Sequence, residues 1–313
     1  MSNNPLVSVV IPTYNRSSIV GDAIDSALLQ TYGNIEVVVV DDGSTDDTLL
    51  KVTQYGDRIR VITQDNAGPS AARNRGIAVS RGELIAFLDS DDLWMRTKVE
   101  RQVSLLLKAG NSVPCCLTNI RMQWNDREIS SFENSWLRPG IEEGIWLNVS
   151  DVLATRFVLF NQAVMIRREA LDRVGGFDES LRLLEDSDLA LRLSFDGPWA
   201  FIREPLVIWR ETAGSCYQEA KGSGLRPQET LIKVLEGNLS KLNDGELQTG
   251  VRKRLAVEVK RVRRELRASQ MRRVPSWTTA TAGRLLQTIE QCGRAVFRRS
   301  PLFPKMKVQP LRS

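Results

Sequence analysis

"LIAFLDSDDLW", Leu84 to Trp94, runs five apolar residues straight into three carboxylates within four positions, Asp89, Asp91 and Asp92. The apolar part lacks the polar alternation of a strand with one wet face, so it reads as a strand of a parallel sheet covered on both sides. The carboxylates repel one another and are costly to hold together unless a cation sits among them. A second run of the same kind, "IEVVVVDDGS" from Ile35, ends in Asp41 and Asp42. In an open parallel sheet ligands bind beyond the carboxyl ends of the strands, so both clusters emerge on one rim. An Asp-x-Asp triplet places alternate side chains together, and Asp89 and Asp91 can share one hard divalent ion, Mg2+ or Mn2+. Such an ion with open positions usually holds phosphates. Either cluster alone reads equally well as a helix cap or a turn; two on one rim point to a site.

Outward from these strands the chain alternates strand and helix. "LVSVVIP" from Leu6 reads as a strand stopped by Pro12, and Ile19, Ala23, Ala27 and Gln30 recur near helical spacing. "STDDTLLKVTQY" starts a helix with Ser44 or Thr45 as N-cap and acids in its first turn. "RIRVITQ" is the next strand, and Asn66 to Pro69 form a turn that puts proline first in a helix reaching about Val79. From about Asn125 to Phe160 the pattern loosens into irregular loops and short elements. "NQAVMIRREALDRVGGFDESL" then reads as a strand and a helix ended by Gly175 and Gly176, and "EDSDLALRLSF" as a helix with an acidic first turn. From about Leu225 everything reads as helical.

The 313 residues, 42% hydrophobic and 26% charged, suit a soluble globular chain with one large domain or two ordinary ones. Histidine is absent, which excludes Ser-His-Asp or Cys-His catalysis and His-ligated metals, and leaves acid/base chemistry to carboxylates and hydroxyls. Four cysteines match neither a disulfide framework nor a zinc spacing; with no signal peptide ahead of the first strand, a reducing cytoplasm is expected. No apolar run reaches the roughly 18 residues of a spanning helix, so any membrane association would be peripheral. The net charge of +5 is uneven: residues 252–273 hold ten Lys and Arg against Glu258 and Glu265. In this tail Val251, Leu255, Val259, Val262 and Leu266 form one apolar stripe opposite an arginine-rich face. The segment 251–273 either lies on an anionic membrane surface or packs its stripe on the rest of the protein.

Several motifs together are similar to family 2 glycosyltransferases of GT-A fold: "VSVVIPTYNR", "VVVVDDGSTDDT", "NAGPSAARNRGIAVSRGELIAFLDSDDLW", "VGGFDESL" and "LLEDSDLALRL", in order and at about the family's spacing, over roughly residues 5–215. The resemblance implies an α/β chain with a mostly parallel sheet and helices on both faces. It implies a catalytic domain over 1–220, with a nucleotide-sugar half to about 120 and an acceptor half beyond it, followed by a basic, mainly helical extension over 221–313. It implies metal-dependent transfer of a sugar from a nucleotide diphosphate donor, most often a UDP-sugar, to a hydroxyl of a saccharide or lipid-linked acceptor, with inversion, in cell-surface polysaccharide or glycolipid synthesis. On that mapping Pro12, Thr13, Tyr14 and Asn15 line the nucleoside pocket, and Asp42 looks like the base or ribose contact. Arg73 resembles the arginine that faces the donor, its bland alternative being a surface ion pair. Asp89 would contact the ribose or metal-bound water, and Asp91 would ligate the metal. Glu185 and Asp186 stand where the family carries its general base, with Asp186 as the base; the plain alternative is helix N-terminal charge. Two features depart from the pattern: Trp209, Arg210 and Thr212 stand where a histidine is frequent, and Ser187 follows the "ED" pair where an aromatic is common.

Three other readings compete, the first a binding-only, inactive relative, against which the intact Asp89, Asp91 and Asp186 argue. A sugar-phosphate nucleotidyltransferase would show an early glycine- and arginine-rich loop with a lysine, which "IPTYNRSSIVGD" lacks. A nucleic-acid-binding protein acting through the tail would want stacking aromatics, and the tail offers essentially Trp277. No nucleic-acid partner is therefore expected.

Overall fold

Strand β1 (Val7–Thr13) is wholly buried between two parallel neighbours, β2 (Ile35–Asp41) and β4 (Leu84–Phe87). The computed structural model describes residues 4–124, 127–156, 158, 160–212, 227–241, 246–271 and 304–311. The strand expected to stop at Pro12 continues to Thr13, with Pro12 opposite Val40. Alternate residues of a parallel strand bond to opposite neighbours. Val10 accepts from the Leu88 amide at 3.0 Å and Thr13 from the Asp42 amide at 2.9 Å, so Pro12 faces the β4 side. β4 has already ended there, and no donor is required of the proline.

With β3 (Arg60–Thr63) outside β2, the first half of the sheet runs β3-β2-β1-β4, all parallel. The chain moves outward from β1 to β3 and then crosses to its other side, which makes the β1/β4 junction a topological switch point where a crevice opens. Helix α1 (Val20–Leu28) buries Val20, Ala23, Ile24 and Ala27 against this sheet. Helix α2 (Thr48–Thr53) begins later than expected, because Ser44 and Thr45 bond to Asp41 and Asn15 instead of capping it. The Thr48 amide is received by Asp46 at 2.9 Å.

Helix α3 (Pro69–Val79) starts on its proline as predicted and crosses β1 at Gly76. A Cβ there would lie 2.3 Å from Val10 Cγ1, and a β-branched core side chain has little freedom to move aside. Gly76→Ala is therefore expected to destabilise: overpacking of about 1–3 kcal/mol exceeds the roughly 1 kcal/mol gained in helix propensity. A lower denaturation midpoint with an unchanged denaturant slope checks this.

Beyond β4 the sheet becomes mixed. β9 (Val164–Arg167) lies antiparallel between β4 and β6 (Cys115–Trp124), and β10 (Trp199–Trp209) runs parallel to β6. The region expected to be irregular contributes two further strands, β7 (Arg127–Ser130) on β6 and β8 (Glu143–Trp146) on β10, with the one-turn helix α5 (Ser131–Asn134) between them in the chain. Short β5 (Leu93–Trp94) pairs with β10 and brings the acidic turn that precedes it to the end of that strand, next to Arg210. Helix α4 (Lys98–Ala109) packs under β6 and β10 and carries Lys98, which is 0% exposed. Its ammonium lies 3.8 Å from the Trp94 ring centroid and donates to Gln102 at 2.8 Å. Burial pushes its pKa down to about 7. Between pH 7 and its ordinary value of 10.5 the unfolded chain binds a proton that the folded chain does not, so this group's contribution to stability rises with pH across that window. The stability of Lys98→Met relative to the parent is expected to fall as pH is raised from about 7 to about 10, by a few kcal/mol, measured by denaturation at each pH.

Helix α7 (Arg168–Val174) ends on left-handed Gly175, and α8 (Glu185–Ser194) follows. Helices α9 (Pro227–Lys241) and α10 (Glu246–Met271) pack on each other, α9 also on α8, and α10 on α6 (Val149–Leu153). The apolar stripe of α10 is buried: Val251, Leu255, Val259 and Val262 all lie in the interior. This corrects the membrane expectation for 251–273 in one respect, since the stripe meets the chain's own helices and is not available to lipid. The tail is also not helical to its end. Strand β11 (Val308–Gln309) pairs antiparallel with β8 and covers that sheet edge. The expected boundary at 220/221, Arg272, Arg273 and Trp277 lie outside the described residues. Among the described residues no helix is long and apolar enough to cross a membrane.

Candidate active site

The loops after β1 and β2 are laced together at the rim. Asn15 takes a left-handed φ of 50°, its amide donates to Ser44 Oγ at 2.9 Å, and its side-chain oxygen accepts from the Thr45 amide at 2.8 Å. Asparagine tolerates that conformation better than most residues. Thr13 is buried below and Tyr14 is exposed beside it.

Asp42, expected as the base or ribose contact, is held by the fold from three sides. It is 3% exposed, and its carboxylate accepts from Gln64 Nε2 at 2.7 Å and from the amides of Ala67 and Gly68 at 2.9 and 2.8 Å. Those three bonds hold the turn that launches α3, and leave about one acceptor position of a carboxylate's four for a base or ribose.

Arg73, three residues along α3 from Ser70, is 5% exposed and is no surface ion pair. Nη2 donates to Asp89 at 2.7 Å, Nη1 donates to Glu185 at 3.0 Å, and the guanidinium stands 5.4 Å from the centroid of the Phe177 ring. One side chain thus ties the acidic turn after β4 to the first residue of α8. A buried guanidinium bridging two carboxylates holds both in place, since removing either partner leaves an unpaired buried charge.

The acidic turn divides into different environments. Asp89 and Asp91 are half-buried, whereas Asp92 is 1% exposed. Loss of water and the nearby Asp89 charge raise the Asp91 pKa. Burial, Asp89 and Asp91 push Asp92 well above the usual carboxylate range. Arg210 clasps the turn: its amide donates to Asp92 at 3.0 Å, Nε to the Asp91 carbonyl at 2.5 Å, and Nη1 to Asp22 at 2.7 Å. Thr212 donates its hydroxyl to Asp91 Oδ2 at 2.7 Å. The residues that stand in place of the frequent histidine therefore reach the acidic turn, through a hydroxyl instead of an imidazole.

At the start of α8, Leu184 takes a left-handed φ of 62°, and Asp186 accepts from the Ser187 amide at 2.7 Å. Desolvation and the adjacent Glu185 charge raise the Asp186 pKa to about 7. A carboxyl that titrates near neutrality suits proton abstraction. Sequence reasoning missed Asp188, whose buried carboxylate pairs with Arg192 at 2.6 Å and accepts from Asn238 at 2.7 Å, fixing α8 between α7 and α9. Its helical spacing from Arg192 was the available signal.

The donor set fits a hard divalent ion: the carboxylate oxygens of Asp89 and Asp91, close enough that the Asp89 charge raises the Asp91 pKa, with the Thr212 hydroxyl beside them. Among the described residues no three His, Cys, Asp or Glu converge on one metal position. A two-carboxylate site of this kind relies on water and phosphate oxygens for the rest of its ligands.

Comparison with known proteins agrees with this geometry. The model of Glycosyl transferase family 2 matches residues 8–175. An uncharacterized glycosyltransferase of Rickettsia prowazekii, RP339, is 30% identical over 247 residues, 78% of this chain and 74% of its own. The Escherichia coli UDP-Glc:alpha-D-GlcNAc-diphosphoundecaprenol beta-1,3-glucosyltransferase WfgD is 40% identical over 129 residues, 41% of this chain and 50% of its own. The chain spans only 34% and 58% of the length of two further Rickettsia relatives. Staphylococcus aureus TarS 1-349 in complex with UDP-GlcNAc shares the fold at a TM-score of 0.64 and 20% identity, over 79% of this chain and 70% of that one. The Pyrobaculum calidifontis mannosyltransferase PcManGT, in complex with GDP-Man and Mn2+, does so at 0.60 and 21% identity, over 96% of this chain and 83% of that one.

Proposed function

Because the chain belongs to glycosyl transferase family 2, we propose that it moves a sugar from a UDP-sugar to a hydroxyl of a saccharide or lipid-linked acceptor, with inversion at the anomeric carbon, on the cytoplasmic side of the cell envelope. The observation that carries the reading is Arg73, which joins the Asp89 turn at the sheet's switch point to the helix that begins with Glu185 and Asp186. The names of the Escherichia coli glucosyltransferase and of the TarS complex support a UDP-linked donor. We assign residues 1–220 to the catalytic domain and 221–313 to an extension.

In this reading Thr13, Tyr14 and Asn15 border the nucleoside, with Pro12 shaping the floor. Asp91 and Asp89 would hold Mg2+ or Mn2+, which supplies neutralisation of the diphosphate as it leaves. Arg73 keeps Asp89 oriented, and Arg210 and Thr212 keep Asp91 in place. Asp186 takes the proton from the attacking acceptor hydroxyl, which is a poor nucleophile unaided. A melting-temperature screen of nucleotide sugars with and without Mn2+ tests the assignment, because a ligand that binds only the folded chain raises stability by RT ln(1 + [L]/Kd). A rise with UDP-sugar that requires the ion supports it; equal melting under every condition refutes it.

A further inference from the structure

The side of helix α10 opposite its buried stripe carries a second pattern. Lys253, Val257, Lys260, Arg264 and Arg267 step by 4, 3, 4 and 3 residues, and all five are exposed, Val257 by 58%. At 3.6 residues per turn that spacing puts them in one row, about 21 Å long, pointing away from the protein. The flanks are treated differently. Glu258 and Glu265, the only acids between 251 and 271, both bind Arg261. Arg254 pairs with Asp151 at 3.1 Å, and Arg263 pairs with Glu236. Arg254, Arg261 and Arg263 beside the row are thus paired within the fold, while among the described residues none of the four cations in the row has an ion-pair partner.

We propose that this outward row docks the protein on an anionic phospholipid surface. A straight row of four uncompensated charges on a convex helix matches a flat sheet of negative headgroups, and the exposed valine among them adds a shallow apolar contact. Nucleic acid is the less suitable occupant, because the row presents no aromatic side chain for stacking. Packing of α10 on α9, and of α9 on α8, places the row on the extension, two helices from Asp186. The proposal stands on charge and geometry and does not depend on which sugar is moved.

Vesicle sedimentation of the full chain tests it, with phosphatidylcholine vesicles containing about 30% phosphatidylglycerol set beside pure phosphatidylcholine. A basic residue close to an anionic surface is worth roughly fivefold in affinity. The fourfold variant K253Q/K260Q/R264Q/R267Q is expected to lose binding by about 100-fold or more, and the Lys/Arg exchange K253R/K260R/R264K/R267K to keep it. The parent's binding is expected to weaken steeply as salt rises from about 50 to about 500 mM. Unchanged melting and unchanged donor-induced stabilisation in the fourfold variant would show that only the surface was altered. No sedimentation at low salt, equal binding to neutral vesicles, or full binding by the fourfold variant would overturn the proposal. Tighter, equally row-dependent binding to RNA than to vesicles would overturn it in favour of nucleic acid.

Discussion

Asp186→Asn is expected to lower sugar transfer by at least about 10²-fold while leaving nucleotide-sugar affinity within a few-fold of the parent. The substitution keeps the size of the side chain and the oxygen that receives the Ser187 amide, and removes the basic carboxylate. The parent's rate is expected to rise with pH and level off above about 7, where Asp186 becomes ionised. Stability should move the other way. Between the ordinary value of 3.8 and about 7 the folded chain holds a proton that the unfolded chain has lost, so this group's contribution falls as pH rises through that window. At pH 8 the variant no longer confines a charge beside Glu185 and is expected to melt higher than the parent, by a few degrees. Measuring rate, donor affinity and melting on the same preparations separates the roles. Wild-type transfer would remove Asp186 from the mechanism, whereas joint loss of donor affinity and activity would move it to the donor side.

Asp91→Ala is expected to abolish the ion-dependent part of donor binding. Calorimetry of UDP with and without Mn2+ should show a clear gain from the ion in the parent and none in the variant, a loss of about two orders of magnitude in affinity. Binding of UDP without the ion should change little, because Thr13, Tyr14 and Asn15, the residues proposed to border the nucleoside, lie at the end of β1 and not in the acidic turn. Truncation also takes the acceptor from the Thr212 hydroxyl. Asp91→Asn keeps an oxygen for that bond, so equal loss in both variants would locate the effect in ion binding and not in the Thr212 contact. If both variants bind UDP with Mn2+ as the parent does, the acidic turn serves structure alone.

Strands β1 to β4 and β9, helices α1, α2, α3, α7 and α8 and the two acidic turns were legible in the sequence because they depend on local pattern, whereas β5, β7, β8, β10 and β11 were not. Uninterrupted valine runs specify doubly covered strands, Pro69 opens a helix, and Gly175 ends one. Boundaries were less legible. Pro12 lies inside β1 only because β4 stops short beside it, and α2 starts late only because Asn15, 30 residues before Thr45, takes that residue's amide.

By itself the sequence determined the alternation that yields a largely parallel sheet, the rim on which Asp41, Asp42, Asp89, Asp91 and Asp92 emerge, and the two-sided character of helix α10. Tertiary structure decided which of those groups face one another. It turned Asp42 onto the turn before α3, made Arg73 a bridge to Glu185 across 112 residues of chain, buried Lys98 on Trp94, and gave the apolar stripe of α10 to α9 and α6 instead of to lipid. The reason is physical: periodicity records which face of an element is apolar or charged, whereas the partner that meets that face comes from distant segments and exists only once the chain has packed.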